Sequence, residues 1–265
     1  MIKIVVTGAA GKMGREVCKT VLQQKDMTLV GAVDIVHVGC DVGKLLGLAD
    51  TGIAIDNDLE RVFKETSPDV MVDFTHPAAV MNNIRSALKS NVHVVVGTTG
   101  LTERDLTEVE SLVKDGKTNA IIAPNFATGA VLMMKFSEIA CKYFPDVEII
   151  ELHHNQKADA PSGTALKTAE IISQAKVGEA SRNPKETEKI KGVRGGEAKG
   201  IRIHSVRLPG LVAHQQVIFG STGQILSIKH DSIDRSSFMP GVLMAIREVQ
   251  KRRGLTYGLD KLLEI

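Results

Sequence analysis

The sequence contains no Trp, two Tyr, seven Phe and three Cys among its 265 residues. With aromatics at 3%, it has no platform on which nucleic-acid bases could stack. An excess of one charge is also missing. The 33 Lys and Arg stand against 31 Asp and Glu, a formal net charge of +2, which is no electrostatic footprint for nucleic acid. Cys18, Cys40 and Cys141 are odd in number, widely spaced and lack a CxxC pair, so they read as reduced thiols and not as a disulfide framework. No apolar run approaches the roughly 18 residues of a membrane span. The stretch 2–7 already reads as a strand, with no basic, apolar and cleavage-site segments of a signal peptide before it. The expectation is a cytoplasmic protein with neither nucleic acid nor membrane as a partner.

Other features are present in ordinary or generous amounts. Hydrophobic content of 43% and charged content of 24% suit a globular chain and are too apolar for disorder. The length suits one large domain or two modest ones. With so few aromatics, the core must be built from Val, Ile, Leu, Ala and Met. The 24 glycines imply many backbone positions that need them.

The first half alternates short apolar runs with amphipathic spacing. Strands are predicted at 2–7, 27–34, 70–74, 92–96 and 120–123, and helices at 11–24, 59–64, 78–90 and 103–114. Thr102 and Asp105 form a capping pair for the last of these. Unbroken runs such as Val94-Val95-Val96 need cover on both faces, which implies a doubly wound α/β domain with a parallel sheet. After Pro124 the rhythm changes. Helices at 128–143 and 164–175 flank a strand at 147–152, and strands at 201–207, 212–220 and 224–230 follow in succession. That order suits a second, α+β domain with a mixed or antiparallel sheet, and 236–252 reads as a closing helix. The segment 176–200 has little periodicity. From Arg182 to Arg207 there are eight Lys or Arg against three Glu, a local net of +5. Most of these charges read as a solvated surface, with Arg194-Gly195-Gly196 the part best suited to an anionic ligand.

Gly8-Ala9-Ala10-Gly11-Lys12-Met13-Gly14 lies between the first strand and the first helix. A dinucleotide pyrophosphate needs backbone N–H donors unobstructed by side chains, and a glycine turn at a helix N-terminus supplies them with a favourable dipole. Asp34 closes the second strand, about 20 positions past the last glycine, where a ribose-binding carboxylate belongs. A carboxylate there accepts from a ribose 2′-hydroxyl and repels a 2′-phosphate, and Ile35 offers no phosphate ligand. Lys12 in the glycine turn or His37 could offset that repulsion, and the expectation is that NADH serves at least as well as NADPH. Gly97-Thr98-Thr99-Gly100 and Ala123-Pro124-Asn125-Phe126 sit at the ends of the fourth and fifth strands, where ligands bind in open α/β sheets.

The densest chemistry runs from Glu151 to Thr164 (Glu-Leu-His-His-Asn-Gln-Lys-Ala-Asp-Ala-Pro-Ser-Gly-Thr). His153 and His154 end a strand and leave on opposite faces. Lys157 follows, and Ser162-Gly163-Thr164 opens a helix whose free N–H groups suit an anion. A proton donor, an ammonium and a helix N-terminus together fit a small acidic molecule that must be protonated. No HExxH or comparable spacing supports a metal.

These residues resemble the dihydrodipicolinate reductase (4-hydroxy-tetrahydrodipicolinate reductase) family of the bacterial lysine and diaminopimelate pathway. The resemblance covers nearly the whole chain: GAAGKMG, DFTHP, GTTG, APNF, the E-x-HH-x-x-K-x-D-A-P-S-G-T-A string, HSVRLPG and SFMPGV. It implies a dinucleotide-binding domain over 1–126, a substrate-binding and oligomerisation domain over 127–234, and a C-terminal segment 235–265 returning to the first. A homotetramer, NADH and/or NADPH as cofactor and a small dicarboxylate as substrate are further implications. By motif position, His153 is the general acid with Lys157 as its partner. His154, Lys157, Ser162, Gly163 and Thr164 fall at substrate-carboxylate positions. Gly8, Ala9, Ala10, Gly11, Lys12, Met13, Gly14, Asp34, Gly97, Thr98, Thr99, Ala123, Pro124, Asn125 and Phe126 fall in the cofactor loops. Two other readings are a related two-domain amino-acid or semialdehyde dehydrogenase and a dinucleotide sensor without turnover.

Overall fold

The computed structural model describes residues 1–114, 117–178 and 187–263. The chain divides into two compact units, one formed by Met1–Ala127 together with the segment from Phe238 on, the other by Thr128–Ser237.

The first unit opens with β1 (Ile2–Thr7), α1 (Lys12–Leu22), β2 (Met27–Val33), a single turn α2 (Val42–Leu45) and the short β3 (Ile55–Asp56). Then come α3 (Leu59–Thr66), β4 (Val70–Asp73), α4 (Pro77–Lys89), β5 (His93–Val96), α5 (Glu103–Lys114) and β6 (Ala120–Ile122). The central strands carry apolar residues at consecutive positions. All four residues of β4 are buried, as are Val94, Val95 and Val96, so both faces must be covered. One face packs α3, α4 and α5 through Val5, Met71, Val94 and Val96 against Val62, Val80, Ile84 and Val109. The helices begin with local devices. Pro77 opens α4 behind His76, whose ring accepts from the Ala78 N–H. Thr102 and Asp105 bond reciprocally ahead of α5, at 2.8 and 3.2 Å.

The second unit contains α6 (Thr128–Ala140), β7 (Asp146–His153), α7 (Gly163–Ala175), β8 (Gly196–Ala198), β9 (Ile201–Arg207), β10 (Ala213–Ser221) and β11 (Gln224–Ser232). Its five strands are ordered β11-β10-β7-β9-β8. β7 and β9 run parallel and the other pairs antiparallel, so the sheet is mixed. Alternation sends Ile149, Ile203, Val217 and Phe219 to one face, where they meet Met133 of α6 and Ala165, Ala169 and Ile172 of α7.

The chain then rejoins the first unit through α8 (Met239–Val249) and β12 (Leu255–Tyr257). α8 packs on α1, β5 and β6, and β12 pairs in parallel with β6. The first sheet thus has seven parallel strands in the order β12-β6-β5-β4-β1-β2-β3, a Rossmann-type arrangement.

The sequence patterns differ from this fold in a few places. The helix predicted over 236–252 is a 3-10 turn (Arg235–Phe238) followed by α8, because Pro240 supplies no N–H and suits only a first turn. The aperiodic 176–200 stretch contains β8. β3 and β12 are too short, at two and three residues, to show periodicity. Arg182, Lys185 and Glu186 of the basic stretch lie outside the described residues.

Candidate active site

In the first unit, the glycine turn is fixed by what surrounds it. Gly8 adopts φ +74°, and a Cβ there would lie 2.4 Å from the Phe74 carbonyl oxygen. A Cβ on Gly14 would lie 1.9 Å from the Gly8 oxygen, so α1 starts directly against the turn. The Ala10 N–H donates to the Asp34 carboxylate at 2.9 Å, and Arg15 Nε donates to the Ala10 carbonyl at 2.8 Å. α1 has Gly11 as N-cap, with no side-chain cap and no acid in its first turn. Its opening N–H groups are therefore available to an anion. This cradle, bare of side chains and adjoining a carboxylate at the end of β2, fits a dinucleotide. Gly97 is similarly constrained, since a Cβ there would meet the Phe74 ring at 2.1 Å. Phe74 in turn packs against Phe126 with centroids 5.9 Å apart.

Beneath these loops lies Asp73, fully buried at the end of β4. Its carboxylate accepts from Thr7 Oγ1 (2.7 Å), Thr98 Oγ1 (2.6 Å), Thr75 Oγ1 (2.8 Å), the Thr75 N–H (3.1 Å) and Asn83 Nδ2 (2.8 Å). One acid thereby ties the ends of β1, β4 and β5 to α4.

In the second unit, β7 ends with Glu151 and His153 on one face. Glu151 is fully buried. It accepts from His153 Nδ1, from Arg207 of β9 through a two-toothed contact at 2.8 and 2.9 Å, and from the Ser162 N–H at 3.3 Å. Burial pushes the Glu151 carboxyl up, but hydrogen bonds from Arg207, Ser205 and His153 hold it below the usual glutamate range. For His153, burial pushes the imidazole down and Glu151 pulls it back up. Lys157 and Arg207 oppose its protonation, and the net value lies below that of an ordinary histidine. Lys157 Nζ contacts both Asp159 oxygens, at 2.7 and 2.9 Å. Ser162 caps α7, its Oγ accepting from the Ala165 N–H at 3.2 Å. No acid occupies the first turn of α7, and Gly163 faces open space. The result is a half-buried imidazole, an ammonium and a helix N-terminus within one stretch of chain.

Elsewhere, burial pushes the Cys18 thiol up to about 12 and raises Cys141 as well, so neither is poised as a thiolate. Among the described residues, no group of three or more His, Cys, Asp and Glu is placed to hold a metal ion. No described helix is long and apolar enough to cross a membrane.

Comparison with known proteins bears on both units. Residues 2–126 match the family model for the dihydrodipicolinate reductase N-terminus, and residues 129–263 match that for the C-terminus. The chain belongs to the dihydrodipicolinate reductase family. It is 54% identical over 264 residues to the 4-hydroxy-tetrahydrodipicolinate reductase of Desulfitobacterium hafniense, covering 99% of both chains. The dipicolinate-bound dihydrodipicolinate reductase from Paenisporosarcina sp. TG-14 superposes with a TM-score of 0.90 at 44% identity, covering 99% of this chain and 100% of that one. An amine dehydrogenase from Mycobacterium smegmatis shares the fold alone, at 16% identity and a TM-score of 0.67 over 96% of this chain and 94% of that one. As a dihydrodipicolinate reductase family member with a Rossmann-type unit, the chain is an oxidoreductase that works with a nicotinamide cofactor.

Within this reductase fold, the sequence-predicted residues take several different positions. Gly11, Lys12, Thr99 and Pro124 are exposed, and Gly8, Met13, Asp34, Gly97 and Asn125 are half-buried. Ala9, Ala10, Gly14, Thr98, Ala123 and Phe126 are buried. The Thr98 hydroxyl is turned inward to Asp73, so only its backbone is presented to a ligand. Asn125 Oδ1 accepts from the Ala127 N–H at 2.9 Å and holds its own turn. His154 and Gly163 are exposed, whereas His153, Lys157 and Thr164 are half-buried and Ser162 is buried. Arg194, expected as an anion contact, has a carboxylate partner of its own in the structure. It pairs with Glu148 of β7, which also bonds His204 Nε2 at 2.7 Å. Pattern reading gave no role to Asp73, Glu151 or Arg207. The i, i+2 spacing of Glu151 and His153 on a strand is the signal that links the first two members of the second cluster. No local signal connects Arg207, 56 positions away, to Glu151.

Proposed function

We propose that the chain reduces dihydrodipicolinate, derived from 4-hydroxy-tetrahydrodipicolinate, to tetrahydrodipicolinate in lysine and diaminopimelate biosynthesis. The observation that carries this reading is His153, half-buried on an acceptor carboxylate beside Lys157 and the open start of α7. Bound NADH or NADPH supplies the hydride that goes to an electron-poor ring carbon. Negative charge then develops on the ring, the Lys157 ammonium stabilises it, and His153 Nε2–H delivers a proton to complete the two-electron reduction. Histidine suits this task because its imidazolium is a ready proton donor, and Glu151 counters the burial that pushes His153 below the ordinary histidine value. His154, Lys157, Ser162, Gly163 and Thr164 hold the two substrate carboxylates, through an imidazole, the Lys157 ammonium and the N–H groups of the α7 start.

Residues 1–126, with the returning segment 235–265, bind the dinucleotide in this proposal, and 127–234 bind substrate and drive oligomerisation. The glycine turn from Gly8 to Gly14 cradles the pyrophosphate. Asp34 accepts from the ribose hydroxyl, and the loops at Gly97, Thr98, Thr99 and Ala123–Phe126 flank the nicotinamide. The exposed Ile35 beside Asp34 provides no cation for a 2′-phosphate, which supports use of NADH at least as well as NADPH. A cytoplasmic homotetramer completes the proposal. Its support is the face of the mixed sheet opposite α6 and α7, where Ile150, Leu152 and Ile218 are half-buried and Ile225 is 76% exposed.

The decisive measurement is loss of reduced-nicotinamide absorbance at about 340 nm with freshly prepared dihydrodipicolinate. Oxidation is expected only when that substrate is present, with kcat/KM for NADH equal to or above that for NADPH. Absence of turnover with either cofactor overturns the reaction. A strong preference for NADPH overturns the cofactor assignment.

A further inference from the structure

We infer that Glu151, clamped by Arg207, is the positioning residue that decides which nitrogen of His153 carries the mobile proton. This rests on the reading of His153 as proton donor, and the experiment below separates the two. Alternation along β7 places residues 151 and 153 on the same face, so their side chains meet without any loop geometry. An ionised carboxylate only accepts hydrogen bonds, so the contact requires the proton on His153 Nδ1.

The remaining capacity of Glu151 is also committed. Arg207 bonds both oxygens, and the Ser162 N–H reaches Oε1. These donors stabilise the ionised form of the acid in its buried setting, which keeps it an acceptor at neutral pH. The imidazole is therefore restricted to two states, the cation and the neutral form with hydrogen on Nδ1. In both states Nε2 is the nitrogen that exchanges a proton, and it is free of Glu151.

Charged groups around the ring come from three elements. Glu151 of β7 favours the imidazolium, whereas Arg207 of β9 and Lys157 of the loop between β7 and α7, the latter paired with Asp159, oppose it. Arg207 also donates to the Asp159 carbonyl at 2.7 Å and the Val206 carbonyl at 2.8 Å. Through these bonds the clamp is tied to the loop that carries Lys157. A buried ion pair contributes little net stability over a well-packed apolar pair of the same volume. An arrangement that spends an arginine, a glutamate and a backbone N–H on one imidazole is better explained by control of its tautomer.

The test uses the full chain labelled with 15N-histidine. In the wild type, neutral His153 is expected as the Nδ1–H form; finding it as Nε2–H overturns the proposal without any variant. In Glu151→Gln, the neutral ring is expected to shift toward Nε2–H. The kcat should fall by about 10² to 10⁴-fold, the scale seen when an acid that orients an imidazole becomes an amide. The alkaline limb of the kcat profile should move to lower pH, since the group favouring the imidazolium is gone. KM for NADH and binding of dipicolinate, used as a dicarboxylate probe, should stay unchanged, which also reports that both units remain folded. Unchanged kcat and an unmoved alkaline limb in Glu151→Gln overturn the positioning role. Undiminished kcat in His153→Ala instead overturns the proton-donor reading on which it rests.

Discussion

Asp73 and Glu151 are both fully buried carboxylates at the carboxyl ends of strands, and the two units satisfy them in opposite ways. Asp73 is surrounded by neutral donors, three threonine side chains, an asparagine amide and a backbone N–H. Glu151 is met by a guanidinium and an imidazole as well as a backbone N–H. Neutral donors fix directions and do not titrate near neutral pH, so the Asp73 hub organises shape. Charged and titratable donors couple position to protonation, so the Glu151 hub organises reactivity. A buried acid is thus informative only together with the chemistry of its partners.

The largest expected effect follows from removing the cation in the second hub. Arg207→Met leaves Glu151 buried without compensation, and urea denaturation should show a loss of about 3–5 kcal/mol. A variant as stable as wild type would mean that Glu151 does not depend on Arg207. Next comes Asp73→Ala, which orphans buried donors at about 1–3 kcal/mol each, reduced where hydroxyls rotate to other acceptors. A loss of about 2–3 kcal/mol is expected, with a raised KM for NADH and no movement of the alkaline limb of the kcat profile. Movement of that limb would erase the distinction between the hubs.

The smallest effect concerns His93, half-buried in the first unit, whose Nδ1 accepts from the Asn119 N–H at 3.0 Å. Burial holds its pKa below the ordinary value, with Asp69 partly opposing this. Its folded state therefore binds fewer protons than the unfolded chain. The stabilisation it gives is complete above the unfolded value near 6.5 and is lost as pH falls through the folded value. Tm should decline modestly between about pH 7.5 and pH 5.5, and His93→Gln should flatten that decline. An equal slope in the variant would place the titrating group elsewhere.

Much of the fold was legible because it depends on local repetition. The consecutive Val runs of β5 demanded two covered faces, and the glycine turn, α1 and Asp34 stood in the spacing of a nucleotide-binding βαβ unit. Of the candidate site, sequence contiguity exposed His153, Lys157 and Ser162. What escaped was assembled by topology. Arg207 reaches Glu151 because β7 and β9 are parallel neighbours, with His153 in register with Arg207. Asp73 gathers four side chains from the ends of separate strands and from α4, and of these only Thr75 lies near it in sequence. The pairing of Arg194 with Glu148, 46 residues away, is likewise made by the fold, and no local charge pattern shows it.

The pairing of β12 with β6 has a consequence for how the protein is made. On the ribosome, β1 to β6 emerge first, and the whole second unit is then synthesised before Leu255–Tyr257 can dock. Throughout that interval β6 has a free hydrogen-bonding edge of the kind that recruits foreign strands. Docking of β12 covers that edge and leaves a strand of three residues outermost. Truncation just before Leu255 would leave every ligand-facing loop intact in sequence and yet produce a chain prone to aggregation during synthesis.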